Sequence, residues 1–204
     1  MRIGILGAGN VGGNLGKAWA TQGHDVFFGV RDPRGEKVRA LLATIGSQAR
    51  AGNPAEAVAF GEVIVLAVSW AGVAEVLRQA GDLTGKIVVD ATNRLAPPTP
   101  GSAPSAGEEV ARLAPGARVV KAFNSIGAEL LAGPQFGDQR PSMFICGDDA
   151  AAKTTVAQLA DQIGFDVVDA GSLANAGLLE SLAVLWIRLS RSEGRDIAFK
   201  LLRR

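Results

Sequence analysis

The sequence predicts an α/β protein built on a doubly wound, mostly parallel sheet, and three observations predict it. Short runs of Val, Ile, Leu and Phe alternate with amphipathic stretches along most of the 204 residues. These runs are nearly continuous in apolar residues, the pattern of strands covered on both faces. The first run also passes without a gap into Gly7-Ala8-Gly9-Asn10-Val11-Gly12 and then into a helix, so strand, glycine turn and helix follow in register.

Arg2 to Leu6 is the first strand, and the helix after the turn continues through Leu15 to Gln22 and stops at Gly23. Asp25 to Val30 (DVFFGV) is the second strand, followed by a charged helix from about Gly35 to Ile45. Residues 48–52 form a weak third strand, Pro54 to Phe60 a short helix, and Glu62 to Val68 (EVIVLAV) a strongly apolar fourth strand. Ser69 is placed to cap a helix from Trp70 to Gln79, its hydroxyl accepting from first-turn N–H groups. Lys86 to Asp90 is the fifth strand. Ala96 to Gly107 (APPTPGSAPSAG) has four prolines and no apolar period, so it is a loop after that strand's carboxyl end.

A helix through Glu109 and Leu113 leads to a sixth strand, Arg118 to Phe123, and Ser142 to Cys146 is the seventh. Asp148 or Asp149 caps a helix to Ile163, and Phe165 to Asp169 is the eighth strand. The last helix, about Asn175 to Ser190, belongs to a small C-terminal helical extension, about 171–204, whose basic end, Ile197 to Arg204, carries no assignable pattern. No repeat or linker divides the chain. It reads as one domain, 1–204, with ligands expected at the carboxyl ends of the strands.

Composition narrows the function classes. Lys and Arg total 21 against 20 Asp and Glu, a net charge of +1, so neither a nucleic acid nor an anionic membrane is expected as partner. A single cysteine, Cys146, excludes an internal disulfide framework and a multi-cysteine metal site, and it fits a reducing compartment. The first strand and turn stand where a leader would, so no signal peptide is expected. The apolar stretch Leu178 to Leu189, interrupted by Glu180 and Arg188, reads as too short to span a bilayer. The expected location is the cytoplasm.

A GxGxxG spacing is a weak signal by itself in a chain with 26 glycines, and a turn that binds nothing is the alternative. Its placement strengthens it. Gly7 allows the tight turn, Gly9 lacks the Cβ that would keep the backbone off a pyrophosphate, and Gly12 lets the helix pack closely on the sheet. The helix's free N–H groups and positive end then face the phosphates. This is the signature of a Rossmann NAD(P)-binding fold.

An NAD site usually ends its second strand with a carboxylate that accepts from the ribose hydroxyls. Here that position is Val30, followed by Arg31, with Arg34 and Lys37 within reach. A guanidinium there can pair with a 2'-phosphate and stack on adenine, which favours NADP. The competing reading takes Asp32 as the ribose ligand and the arginines as an ordinary solvated helix start.

Five segments together resemble the NADPH-dependent reductases of the deazaflavin coenzyme F420: GILGAGNVG, GVRDP, VLAVSW, CGDD at Cys146 to Asp149, and DAGSLANAGLLESL at Asp169 to Leu182. The stretch VVKAFNSIG, Val119 to Gly127, also resembles the cytosolic NADPH-flavin domain of the six-transmembrane metalloreductases. The resemblance implies NADP contacts at Ala8, Gly9, Asn10 and Val11, at Arg31, Arg34 and Lys37, at Val68 and Ser69, and at Ala91, Thr92 and Asn93. It implies hydride transfer between NADP(H) and F420 or a flavin. Val30 and Ser69 depart from the hydroxyl and the proline usual in that family.

Such a transfer needs alignment more than acid–base chemistry, and no catalytic side chain and no metal site are expected. The lone histidine, His24, lies in a turn away from the ligand end and reads as structural. Lys121 and Asn124 close the sixth strand and could face the cleft, Lys121 as a positioning or phosphate-facing residue ahead of a proton donor. Cys146, Trp19 and Trp186 read as core. Trp70 walls the nicotinamide or packs in the core. A basic groove of residues such as Arg94, Lys121 and Arg140 would favour the anionic tail of F420, and an apolar one a flavin or small substrate. The alternatives to a flavin or deazaflavin reductase are a reductase of small carbonyls or imines and a non-catalytic NADP-sensing module. The apolar last helix suggests a homodimer.

Overall fold

In the computed structural model, which describes residues 1–204, the chain runs β1 (Arg2–Leu6), α1 (Asn10–Thr21), β2 (Asp25–Gly29), α2 (Glu36–Ile45), β3 (Ala49–Gly52), α3 (Pro54–Phe60) and β4 (Val63–Leu66). It continues with α4 (Val73–Ala80), β5 (Ile87–Asp90), α5 (Ala106–Leu113), β6 (Arg118–Lys121), β7 (Ser142–Gly147), α6 (Ala150–Gln162), β8 (Asp166–Asp169) and α7 (Ala176–Ser192). The eight strands form one sheet in the order β3-β2-β1-β4-β5-β6-β7-β8. β1 to β6 are mutually parallel, β7 lies antiparallel to β6, and β8 runs parallel to β7. Strand order reverses between β1 and β4, which places a crevice at their carboxyl ends.

Helices cover both faces, and each face has its own core. On one, Ile3, Ile5, Val26, Phe28, Val63, Val65 and Val89 pack beneath α1 and α6, with Trp19 wholly buried. On the other, Ile64, Leu66 and Val88 meet Val58, Val73, Leu77, Val110 and Leu179. All four residues of β4 are buried, which explains why this strand reads as an unbroken apolar run. Each such side chain stabilises the fold by roughly 1.5–3 kcal/mol relative to exposure.

The structure corrects the local reading in four places. Ser69 makes no side-chain cap, because the chain enters α4 through a 3₁₀ turn at Trp70–Gly72 in which the Gly72 N–H donates to the Ser69 carbonyl at 2.8 Å. β6 ends at Lys121, two residues early, because Phe123 takes a positive φ of 60°. The last helical stretch, Leu173–Ser192 with its 3₁₀ entry, spans 20 residues and is long and apolar enough to cross a membrane by length and composition. In this fold it is packed into the protein through Ala176, Leu179, Glu180, Ala183 and Trp186, while Leu178 and Leu185 remain exposed. Finally, the basic end is not helical: the Ser142 N–H donates to the Phe199 carbonyl at 2.9 Å, and Trp186 Nε1 donates to the Ile197 carbonyl at 2.8 Å.

Of the two aspartates offered as caps, Asp149 caps α6 by accepting from the Ala152 N–H at 2.7 Å. Asp148 instead accepts from the Leu173 N–H at 2.9 Å.

Candidate functional site at the carboxyl ends of the strands

β1 delivers the glycine turn to the crevice. Gly7 has φ +112°, and a Cβ there would lie 2.6 Å from the Ala67 carbonyl oxygen, so β4's exit loop seals the turn from one side. At Gly12 a Cβ would lie 2.2 Å from the Gly7 carbonyl oxygen, which allows α1 to start directly against the turn. Gly9 differs: a Cβ there would meet nothing within 4 Å, and the residue is exposed. Nothing inside the protein requires glycine at that position, whereas a pyrophosphate lying against the backbone would. The first-turn N–H groups of α1, through Asn10, Val11 and Gly12, have no intrahelical carbonyl to bond. The turn therefore fits a dinucleotide.

At the end of β2, Arg31, Arg34 and Lys37 are all exposed on the entry to α2. None of the three takes part in any ion pair of the structure. Asp32 is turned to its own loop, where Oδ1 accepts from the Arg34 N–H at 3.2 Å. Three exposed cations without carboxylate partners leave their donors free for an anion.

Across the crevice, Val68 and Trp70 are partly buried and Ser69 is exposed at the end of β4. The Arg94 guanidinium lies 5.7 Å from the centre of the Trp70 ring and donates to the carbonyls of Ala103, at 3.0 Å, and Pro104. Trp70 thus packs against the base of the proline-rich loop. At the end of β5, Ala91 and Thr92 are buried and Asn93 is partly exposed. The Thr92 hydroxyl and N–H both donate inward to Asp90 Oδ1, at 2.7 and 2.9 Å, and its carbonyl accepts from Lys121 Nζ at 2.6 Å, so this residue shapes the strand end and offers the cleft no free polar group. The glycine turn, Arg31, Val68–Trp70 and Ala91–Asn93 follow the carboxyl ends of β1, β2, β4 and β5, with Arg34 and Lys37 farther along, before and within the first turn of α2. A hollow of about 300 Å³ lined by Lys17, Thr21, Gln22, Gln135 and Gln162 lies elsewhere.

The family model "NADP oxidoreductase coenzyme F420-dependent" matches residues 2–94, the segment from the first strand through the end of β5. A crystal structure of a protein from Arthrobacter sp. FB24, provisionally described as an F420-dependent NADP reductase, is 34% identical, covers 100% of both chains and superposes with a TM-score of 0.88. The chain belongs to the coenzyme F420-dependent NADP oxidoreductase family. A second solved relative, the Sinorhizobium meliloti protein SMa0349, is 32% identical over 87% of each chain with a TM-score of 0.73. The metalloreductase STEAP3 of Rattus norvegicus is 36% identical over 182 residues, 89% of this chain. The chain spans about a third, 36%, of that protein's length.

Within this NADP oxidoreductase family member, two of the most telling sequence segments turn out to hold the fold together. CGDD and DAGSLANAGLLESL are stitched to each other: the Gly147 N–H donates to the Gly171 carbonyl at 3.0 Å, alongside the Asp148–Leu173 bond. Glu180 then accepts from the N–H groups of Ala106 and Gly107, at 3.0 and 3.1 Å, at the start of α5.

Lys121 is the principal correction in the site. It does not face the cleft. Its side chain is fully buried, with Nζ 2.8 Å from Asp90 Oδ2, 2.6 Å from the Thr92 carbonyl and 3.1 Å from Glu180 Oε1. All three ammonium hydrogens have acceptors, so Lys121 contacts no phosphate and has no role as a proton donor. Strand alternation explains the placement: Lys121 shares a sheet face with Val119 and Cys146, and that face is covered by α5 and α7. Arg94 is committed to loop carbonyls, and Arg140 bonds Asp161 Oδ1 at 2.8 Å and the Phe165 carbonyl. The expected basic groove of Arg94, Lys121 and Arg140 is therefore not assembled.

The remaining candidates are structural. His24 is buried with Nε2 2.8 Å from Gln162 Oε1. The Trp19 indole donates to the Leu159 carbonyl at 3.0 Å. Burial pushes the Cys146 thiol up to about 11, so it stays protonated and inert near neutral pH. Sequence reasoning underrated Asn124, which is 5% exposed and bonds Asn93. Its signal in the sequence is its position directly after the apolar run Arg118 to Phe123.

Proposed function

We propose that this protein transfers hydride between NADP(H) and a planar redox acceptor, a deazaflavin or a flavin, held across the carboxyl ends of β4, β5 and β6. The observation that carries this reading is the partnerless trio Arg31, Arg34 and Lys37 beside a glycine turn whose Gly9 is open to the crevice. Gly7, Ala8, Gly9, Asn10, Val11 and Gly12 form the pyrophosphate cradle, with backbone N–H groups and the positive end of α1 as the binding elements. Arg31 and Arg34 take the 2'-phosphate, with Lys37 adding charge. Val68, Ser69 and Trp70 wall the nicotinamide half on one side, and Ala91, Thr92 and Asn93 floor it on the other.

Bound NADPH supplies the hydride. The chain's part is to align the two rings and exclude water between them, because no cleft side chain is placed to move a proton. Without a basic groove, recognition of an anionic acceptor tail has no electrostatic support from Arg94, Lys121 or Arg140, which keeps flavin on equal terms with deazaflavin.

The test is to mix purified protein with NADPH and, in separate reactions, F420, FMN and FAD, following loss of nicotinamide absorbance. Turnover with at least one of these supports the proposal. Tight NADPH binding without turnover overturns hydride transfer and leaves an NADP-sensing module. Turnover confined to small carbonyls or imines replaces the acceptor class.

A further inference from the structure

We propose that Asn124 is a positioning residue: its carboxamide pins Asn93, and through it the strand end that receives the nicotinamide half of the dinucleotide. This inference rests on the cofactor reading above. Two independent observations support it.

The first is the backbone. Phe123 is the only residue other than glycine with a positive φ, 60°, a conformation that a bulky side chain adopts at a cost. The packing holds it there. The Phe123 ring is 1% exposed, stands edge-on to Trp19 with centroids 5.6 Å apart, and lies 6.4 Å from Phe165, while its N–H points at Met143 Sδ at 3.2 Å. The consequence is a sharp departure from β6. The ladder between β5 and β6 closes with the Ala122 N–H donating to the Asp90 carbonyl at 3.1 Å, and no backbone bond joins the two strands beyond it.

The second is the side chain that this turn delivers. Asn124 Nδ2 donates to Asn93 Oδ1 at 3.0 Å and to the Leu179 carbonyl at 3.1 Å. Asn93 Nδ2 returns a bond to the Asn124 carbonyl at 2.9 Å. These side chains therefore replace the backbone ladder just where it stops. Asn124 Oδ1, in contrast, is buried with no protein donor. The carboxamide thus spends its donor end on Asn93 and Leu179 and leaves its acceptor end unused. A straight continuation of β6 would bond β5 through the backbone; the turn at Phe123 hands that contact to the two side chains instead. The observed arrangement ties the two strand ends by a reciprocal pair of side-chain bonds. Burial orders the pair: Asn93, partly exposed, is the member toward the cleft, and Asn124 is the support behind it.

The test compares two ligands by calorimetry: NADPH, and 2'-phospho-ADP-ribose, which carries the pyrophosphate and 2'-phosphate but no nicotinamide. For Asn124→Ala the expected result is fragment affinity within about twofold of wild type and NADPH affinity lowered by about three- to tenfold, the worth of a lost hydrogen bond or two. Asn93→Ala should give the same split, and the double variant no more than either single. Equal weakening of both ligands, or of neither, overturns the inference. Should Asn124→Ala fail to fold, Asn124→Leu, close to asparagine in volume and without the amide donor, takes its place, wild-type behaviour toward both ligands being the contrary result. A wild-type protein that binds NADPH but reduces no acceptor sinks hydride transfer and leaves this inference standing. One that binds neither ligand sinks both.

Discussion

Gly9 and Gly12 stand three residues apart in one turn and are glycine for different reasons. At Gly12 a Cβ would collide with the Gly7 carbonyl oxygen at 2.2 Å, a backbone atom that cannot step aside. At Gly9 the space is free and φ is −77°, which alanine accepts readily. Gly12→Ala should therefore cost about 2 kcal/mol or more of stability together with NADPH binding. Gly9→Ala should cost less than about 1 kcal/mol, the difference between glycine and alanine as an N-cap, and still lose most of its NADPH affinity. Chemical denaturation alongside ligand titration separates the two, and a Gly9→Ala variant with wild-type affinity would remove the pyrophosphate assignment. The glycine spacing and the arginine after β2 were legible in the sequence because both depend on local chain geometry. Lys121 was not, because its environment depends on which face of β6 it occupies and on Glu180 arriving from α7.

Elements show the same division. Apolar runs located the central strands, since burial on both faces writes itself into composition, whereas the edge strand β3, Ala-Arg-Ala-Gly, read only weakly; the runs carry no direction, and the reversal of β7 against β6 is a property of tertiary packing. The 3₁₀ entry at Trp70 was hidden for a similar reason: Ser69 has a capping side chain, yet the backbone bond from Gly72 pre-empts it. The proline-rich loop, without pattern in the sequence, is held by α5. Ser105 and Glu108 form a capping box at the start of α5, and Glu109 Oε2 accepts from the Ala103 N–H at 2.9 Å and from Arg112 Nε at 3.0 Å. The Arg112 side chain, followed by the Ala103 N–H, holds the Glu109 carboxyl down at about 2, well below the usual 4.5. A carboxylate depressed in the folded state stabilises it fully above its unfolded pKa, and that contribution is lost as pH falls from about 4.5 to about 2. The urea midpoint of the wild type should therefore exceed that of Glu109→Gln at pH 7, with the gap narrowing across that acid range. A gap independent of pH would mean that the carboxylate charge does not anchor the loop.

For the whole molecule, the sheet order keeps the proposed cofactor edge apart from the region that closes the fold. The crevice is formed by the ends of β1, β2, β4 and β5, whereas the C-terminal tail fastens to β7, β8 and α7. Phe199 accepts from the Ser142 N–H, the Leu201 N–H donates to Ser142 Oγ at 3.0 Å, Lys200 Nζ lies 2.6 Å from Asp166 Oδ2, and Ile197 accepts from the Trp186 indole. Removing residues 197–204 would leave the Ser142 N–H and the buried Trp186 Nε1 without partners. At about 1 kcal/mol for each net hydrogen bond, this truncation should cost about 3 kcal/mol. For a chain of this length it should lower Tm by roughly 6–12 °C. Because none of the tail contacts involves residues 7–12, 31–37 or 91–93, NADPH affinity below the new Tm should stay within about twofold of the full chain. Scanning calorimetry and titration of the two forms side by side check both halves. Loss of NADPH binding at a temperature where the truncated chain is still folded would show that the tail and the crevice are mechanically coupled.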